Sequence, residues 1–240
     1  GKVEPENSSQ IYAGLAFSFN NHTFSIGGYT KDLDNIIYFE KASEFFSSAA
    51  SRWSDFIQTG KGTSYGIETL YEKRGERLNY KIAYTYSKTD RTFDGVNRGE
   101  TFLAKYDRPH VLNVTGDYVF RRSEKNEMGV NLQFTYQSGN METVKSGTYI
   151  AHLPGWEYDI EVDWYSGKIN NYRMPAYTRL DIGWWGTFYG KKLTHTVKAG
   201  IYNVFNRHNH FSLYYDNDER DWKQVYLFPI MPSLSYTISF

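Results

Sequence analysis

The sequence predicts an all-β fold, an antiparallel transmembrane β-barrel segment, on three observations. The first is the stretch Met231-Pro-Ser-Leu-Ser-Tyr-Thr-Ile-Ser-Phe240. Leu234, Tyr236, Ile238 and Phe240 share one face at period two, and Ser233, Ser235, Thr237 and Ser239 share the other. A strand of that kind separates an oily phase from a wet one. The second is an aromatic load of 22 Tyr, 16 Phe and 6 Trp in 240 residues, at a mean hydropathy of only −0.63. Barrels escape hydropathy because only alternate residues face lipid, and aromatic girdles mark their interfaces. The third is a sorting of the connections into short and long, which appears when the strands are taken in order.

Ile11, Ala13, Leu15, Phe17 and Phe19 oppose Tyr12, Gly14, Ala16 and Ser18, and Asn20-Asn21-His22 turns the chain. Phe24 and Ile26 begin a second strand, whose alternation blurs after Thr30. Tyr65, Ile67, Thr69 and Tyr71 then oppose Ser64, Gly66, Glu68 and Glu72, and Gly75-Glu76 turns. The clearest strand follows, with Leu78, Tyr80, Ile82, Tyr84 and Tyr86 against Asn79, Lys81, Ala83, Thr85 and Ser87. Leu112, Val114, Tyr118 and Phe120 form the next, ending in a charged turn from Arg121 to Glu127. Met128, Val130, Leu132, Phe134 and Tyr136 oppose Gly129, Asn131, Gln133, Thr135 and Gln137. Leu180, Ile182, Trp184 and Phe188 come next, then Leu193, Val197, Ala199, Ile201 and Phe205 beyond a turn at Gly190-Lys191-Lys192. With the closing strand this makes nine, and helical periodicity is absent throughout.

Short connections fall near residues 20–22, 75–76, 121–127 and 189–192, and long ones near 39–61, 88–109, 138–175 and 207–230. A soluble sandwich has no reason to alternate them, whereas outer-membrane barrels carry tight turns at one end and long loops at the other. The face opposite the apolar one is polar and charged, with Glu68, Lys81, Arg179 and Asp181 among its members. Small soluble barrels fill their interior with aliphatic side chains, so this is the inverted pattern of a wide lumen. Nine is odd, and an open edge cannot sit in hydrocarbon. The chain is therefore expected to be one part of a larger barrel, a reading that also accounts for a start without a signal peptide.

Composition narrows the function classes. With 27 basic and 27 acidic residues the chain lacks the basic excess of a nucleic-acid surface. The absence of cysteine removes disulfides, thiolate metal sites and thiol nucleophiles together.

Certain motifs carry a family likeness. They are Lys2-Val-Glu-Pro-Glu-Asn-Ser-Ser at the first strand, Gly62-Thr-Ser-Tyr-Gly-Ile-Glu68, and Tyr106-Asp-Arg-Pro-His110. Tyr177-Thr-Arg-Leu-Asp181, Ile201-Tyr-Asn-Val-Phe-Asn-Arg207 and Leu227-Phe-Pro-Ile running into the last strand complete the set. In this order the chain resembles the C-terminal barrel portion of TonB-dependent outer-membrane receptors, over essentially residues 1–240. The resemblance implies a 22-stranded barrel around an N-terminal plug, with about its last nine strands here and the plug on another chain or fragment. It implies integral placement in the outer membrane, a TonB complex acting through the plug, and a surface lipoprotein as a further partner. Tyr236, Ile238 and Phe240 would form the signal read by the barrel assembly machinery.

Four motifs offer chemistry. Gly62-Thr-Ser64-Tyr-Gly66 fits the serine-hydrolase spacing but enters a strand, with no helix to form the nucleophile elbow. His208 and His210 could share one face of an extended segment, without an evident third metal ligand. Asp216-Asn-Asp218-Glu-Arg-Asp221 crowds carboxylates but lacks the glycine and distal Glu of a calcium loop. Trp53, Trp156, Tyr158, Trp164, Tyr214, Tyr215 and Trp222 are the candidate ligand contacts, since flat apolar faces grip siderophores, sugars or peptides. They serve equally to pack loops together. The expected function is energised nutrient uptake without catalysis, cofactor or metal; a passive porin or a barrel adhesin is the alternative.

Overall fold

The computed structural model describes residues 4–39, 57–145, 147–152, 160–164, 168–216, 218–219 and 221–240. In chain order its strands are β1 (Asn7–Phe19), β2 (His22–Phe39), β3 (Ile57–Arg74), β4 (Leu78–Thr92), β5 (Phe102–Leu103), β6 (His110–Arg122), β7 (Asn126–Gln137), β8 (Met141–Glu142), β9 (Gly147–Ala151), β10 (Ile160–Trp164), β11 (Tyr172–Arg173), β12 (Tyr177–Tyr189), β13 (Thr194–Tyr202), β14 (His210–Asp216), β15 (Asp221–Tyr226) and β16 (Met231–Ser239). Nine of them make one antiparallel wall in the order β1-β2-β3-β4-β6-β7-β12-β13-β16, with β5 attached to β4. Three small sheets, β8–β11, β9–β10 and β14–β15, belong to the connections.

Register explains why the wall has two chemistries. Residues directly opposite in an antiparallel pair share a face. Phe17, Phe24, Tyr71, Ile82, Val114, Phe134 and Leu180 therefore line up across seven strands. Leu78, Tyr118, Val130, Trp184, Ala199 and Leu234 line up in a second row from β4 to β16. These apolar rows are open to the surroundings; Phe17 is 66% and Leu234 78% exposed. On the other face Ser18, Thr23, Glu72, Lys81, Thr115, Gln133 and Asp181 form an equally continuous polar row. An exposed apolar sheet face of this extent belongs in lipid. At its margins three His–Tyr pairs share hydrogen bonds, His22–Tyr71 at 2.7 Å, His110–Tyr84 at 2.8 Å and His195–Tyr236 at 2.7 Å. These amphipathic rings suit a lipid–water boundary.

The tight connections β1–β2, β3–β4, β6–β7 and β12–β13 gather at one end of the wall and the long ones at the other, as the antiparallel order requires. Several boundaries differ from the sequence reading. The end of β2 at Phe39 agrees with that reading, although a bulge between Leu33 and Ile36, with Asn35 at φ 56°, shifts the phase of the alternation. Ile36 and Tyr38 thereby land on the polar face opposite Gly60 and Gln58. β3 starts at Ile57 and β4 runs to Thr92, where both faces are polar and period two carries no signal. β2 and β3 have 18 residues each, against the roughly ten needed to cross a bilayer, so the wall rises well past the oily belt. The charged turn after β6 tightens to 123–125, and β13 stops at Tyr202, before Asn203 and Asn206 at positive φ.

Candidate functional site

The loop end of the polar face holds the densest polar packing. Its pivot is Asp107, within Tyr106-Asp-Arg-Pro-His110, whose side chain is 1% exposed. Oδ1 accepts the Thr89 backbone N–H at 2.8 Å and Oδ2 accepts Arg173 Nη2 at 2.7 Å. Arg173 Nη1 donates to the carbonyls of Asp107 and Gly139, both at 2.8 Å. One ion pair thus ties β4, the loop before β6, the start of the β7–β12 connection and β11. Gly139 is required there, since a Cβ would strike the Met174 carbonyl oxygen. Buried charge holds structure only when its remaining hydrogen bonds are satisfied, and these are.

A second clamp works from asparagine. Asn203, fully buried, accepts the Arg207 N–H and donates to the carbonyls of Arg207 and Phe228, while its own N–H reaches Asp181 Oδ1 at 2.9 Å. Asn209 brackets Thr178, accepting its N–H and donating to its carbonyl, each at 2.9 Å. Together they lay the start of β14 against the start of β12.

These braces frame two adjoining recesses. The first, about 680 Å³, is lined among others by Arg108, Asn113, Thr135, Tyr177, Arg179 and His210. Arg108 Nη1 donates to the Gln137 side chain. Arg179 lies 3.1 Å from Asp181, donates to the hydroxyls of Tyr177 and Tyr202, and stacks on the Tyr202 ring. His210 packs on Tyr226, and burial, then the Arg207 cation, hold its imidazole below the ordinary histidine value. The second recess, about 600 Å³, is walled by Tyr38, Phe93, Phe102 and Ile169 with Arg91 at its side. Gly60 allows it, because a Cβ there would collide with the Phe93 ring. Lys105 and Tyr106 border both recesses, and Tyr106 stands 76% exposed between them.

Only part of the expected site falls here. Arg179 lines the first recess with Asp181 beside it, whereas Glu68 and Lys81 lie further along the polar face, Glu68 opposite Gly27 and Thr85, Lys81 opposite Glu72 and Thr115. Trp53, Trp156 and Tyr158 lie outside the described residues, and Trp164 is placed by its backbone alone, opposite Gly147. Tyr214, Tyr215 and Trp222 sit on the β14–β15 hairpin and line neither recess. There Tyr215 meets Trp222 edge-on at 5.5 Å, and the Lys145 ammonium lies 3.2 Å from the Tyr215 ring centroid.

The acidic run at 216–221 is closed by Lys223, which pairs with Asp216 at 2.6 Å and Glu219 at 2.8 Å. His208 and His210 both pack on Tyr226; among the described residues no three His, Asp or Glu gather as a metal site. Ser64 is extended in β3 and shares a 2.9 Å hydrogen bond with Thr89. Tyr236 and Ile238 lie on the apolar face opposite Val197 and His195. The residues that sequence reading passed over are Asp107, Arg173, Asn203 and the aromatic wall Tyr38–Phe93–Phe102. Their advance signs were the Tyr106-Asp-Arg-Pro-His110 and Ile201-Tyr-Asn-Val-Phe-Asn-Arg207 motifs, noticed as likenesses and not as buried polar braces.

A one-layer antiparallel wall, apolar outside and polar inside, with turns at one end and braced loops at the other, defines the class: part of a membrane β-barrel. The profile of the family described as TonB dependent receptor-like, beta-barrel matches residues 1–204, and the chain belongs to that family. Its wall resembles the ferric preacinetobactin receptor BauA from Acinetobacter baumannii, with a TM-score of 0.62 at 14% identity, covering 95% of this chain and 29% of that one. It also resembles the outer-membrane ferripyoverdine receptor of Pseudomonas aeruginosa, solved with ferripyoverdine, with a TM-score of 0.58 at 12% identity, covering 98% of this chain and 27% of that one. The chain thus spans less than a third of either structure. No curated protein sequence matches it.

Proposed function

We propose that this chain is the C-terminal wall and outer loop region of an active transporter of the outer membrane, which takes up a scarce nutrient under TonB control. The observation that carries the reading is the two-faced wall, whose polar side ends in braced recesses of small-molecule size within a family of TonB-dependent receptors. Further strands would pair with the open edges of β1 and β16 to close the barrel, since bare strand edges are untenable in hydrocarbon. A plug would sit against the polar face and connect to the TonB complex. The likeness to two receptors for ferric siderophores favours a chelate of that kind as the nutrient.

Uptake of a panel of radiolabelled ferric siderophores, with and without the inner-membrane TonB complex, tests this. The expected result is concentrative uptake that needs both this chain and TonB. Free passage of small sugars through the purified receptor in liposomes, independent of energy, would make it a porin instead.

A further inference from the structure

Among the described residues, two buried guanidinium nitrogens, Arg91 Nη1 and Arg108 Nε, have neither a hydrogen-bond nor an ion-pair partner. Arg91 borders the aromatic recess and Arg108 the polar one. Elsewhere the buried polar groups are well satisfied, as Asp107, Asn203 and Asn209 show. Leaving a buried donor unpaired costs about 1–3 kcal/mol, so its concentration at one place calls for an acceptor. Charge agrees in sign. Lys105 and Arg108 face Glu142 in the first recess, where Arg179 is paired with Asp181 at 3.1 Å, and Arg91 and Lys105 face Glu6 in the second. Glu142 is already engaged by Lys105 at 3.4 Å, and Glu6 accepts the Ile37 N–H at 3.0 Å. The guanidiniums of Arg91 and Arg108 are left to serve a ligand, with Arg179 beside them.

We propose that the two recesses form one site for a small organic anion that carries a flat apolar group. The acidic group, a carboxylate or an ionised aromatic hydroxyl, sits between Arg108 and Arg179, where fixed guanidiniums favour charge-assisted hydrogen bonds. The flat body crosses the exposed Tyr106 and enters the recess of Tyr38, Phe93 and Phe102, with Arg91 at its edge. His210 borders the same recess. The proposal rests on the transporter reading and adds to it the chemistry of the cargo. It moves recognition from the loop tryptophans to the inner wall.

Equilibrium dialysis of radiolabelled 2-naphthoate and its neutral amide, against the intact receptor in lipid nanodiscs, reads the site directly. The acid is expected to bind at least about tenfold more tightly than the amide. Arg108→Gln should bring the acid close to the amide, while Phe102→Ala and Tyr106→Ala weaken both alike. Unheated gel mobility confirms that each variant is folded; the exposed Tyr106 provides a variant that no folding defect can explain. Equal binding of acid and amide, no binding of either, or an unchanged ratio in Arg108→Gln overturns the proposal. Because no energy source is present, loss of TonB-dependent uptake with acid preference intact would sink the transporter reading alone.

Discussion

The two ends of this wall solve different problems. At the turn end neighbouring strands are joined by a few residues, such as Asn20 and Asn21 between Phe19 and His22, and little packs beyond the ladder. At the loop end, strands outrun the oily belt, short sheets fold over them, and buried Asp107, Asn203 and Asn209 hold segments far apart in sequence. The turn end needs only register, which period two supplies. The loop end must hold a shape that water surrounds, and does so with satisfied polar groups.

The comparison predicts where substitutions hurt. The largest effect should come from breaking the buried pair. Arg173→Ala leaves the Asp107 carboxylate buried with one partner fewer, at a cost of about 3–5 kcal/mol. The loss should show as protease cleavage confined to the loop end, while the wall keeps its gel mobility. Cleavage spread evenly over the chain would remove the distinction between the ends.

Next, Ile82→Arg on the apolar face should cost about 2–4 kcal/mol in a folding assay in lipid, because a charge then lies in hydrocarbon. Lys81→Ile, one residue away, should stay within about 1 kcal/mol. Asn203→Ala follows, at about 1–3 kcal/mol, since two carbonyls and one N–H lose a buried partner. Hydrogen exchange should rise at 204–210 and leave β12 and β13 unchanged below Thr178.

The smallest effect is electrostatic. Lys223, then the backbone N–H of Glu219, hold Asp216 below its ordinary value. Its folded pKa is depressed, so the stabilisation is present above the unfolded value near 3.9 and is lost as pH falls through the lower folded value. Acidification past that point should loosen the β14–β15 hairpin, visible as a change in Trp222 fluorescence. Lys223→Met should produce the same change at neutral pH.

The sequence was legible where one physical rule repeats. All nine wall strands, and the sides on which Glu68, Lys81, Arg179 and Asp181 lie, follow from alternation, because lipid and water force it on every span. Alternation fails where that contrast ends. Beyond Thr30 the bulge at Asn35 reverses phase and blurs the pattern, and along 88–92 both faces of β4 are wet, so the true end of β4 left no trace. The recesses were hidden for another reason. Arg173 reaches Asp107 across 66 residues, and Ile169 packs against the distant cluster of Ile36, Phe93 and Val96; no local pattern encodes such contacts. The loop aromatics were conspicuous in composition, but conspicuous residues such as Tyr215 and Trp222 are engaged with each other.

Fluorescence quenching by lipid-borne nitroxides, with single labels along two neighbouring rows of the intact receptor in membranes, tests the two-faced wall most directly. Labels at Ile82, Val114, Phe134 and Leu180 should be strongly quenched from the lipid, and labels at Lys81, Thr115, Gln133 and Asp181 should respond only to an aqueous quencher. Equal response of the two rows to both quenchers would mean that no side of the sheet meets lipid, and the membrane wall would be contradicted.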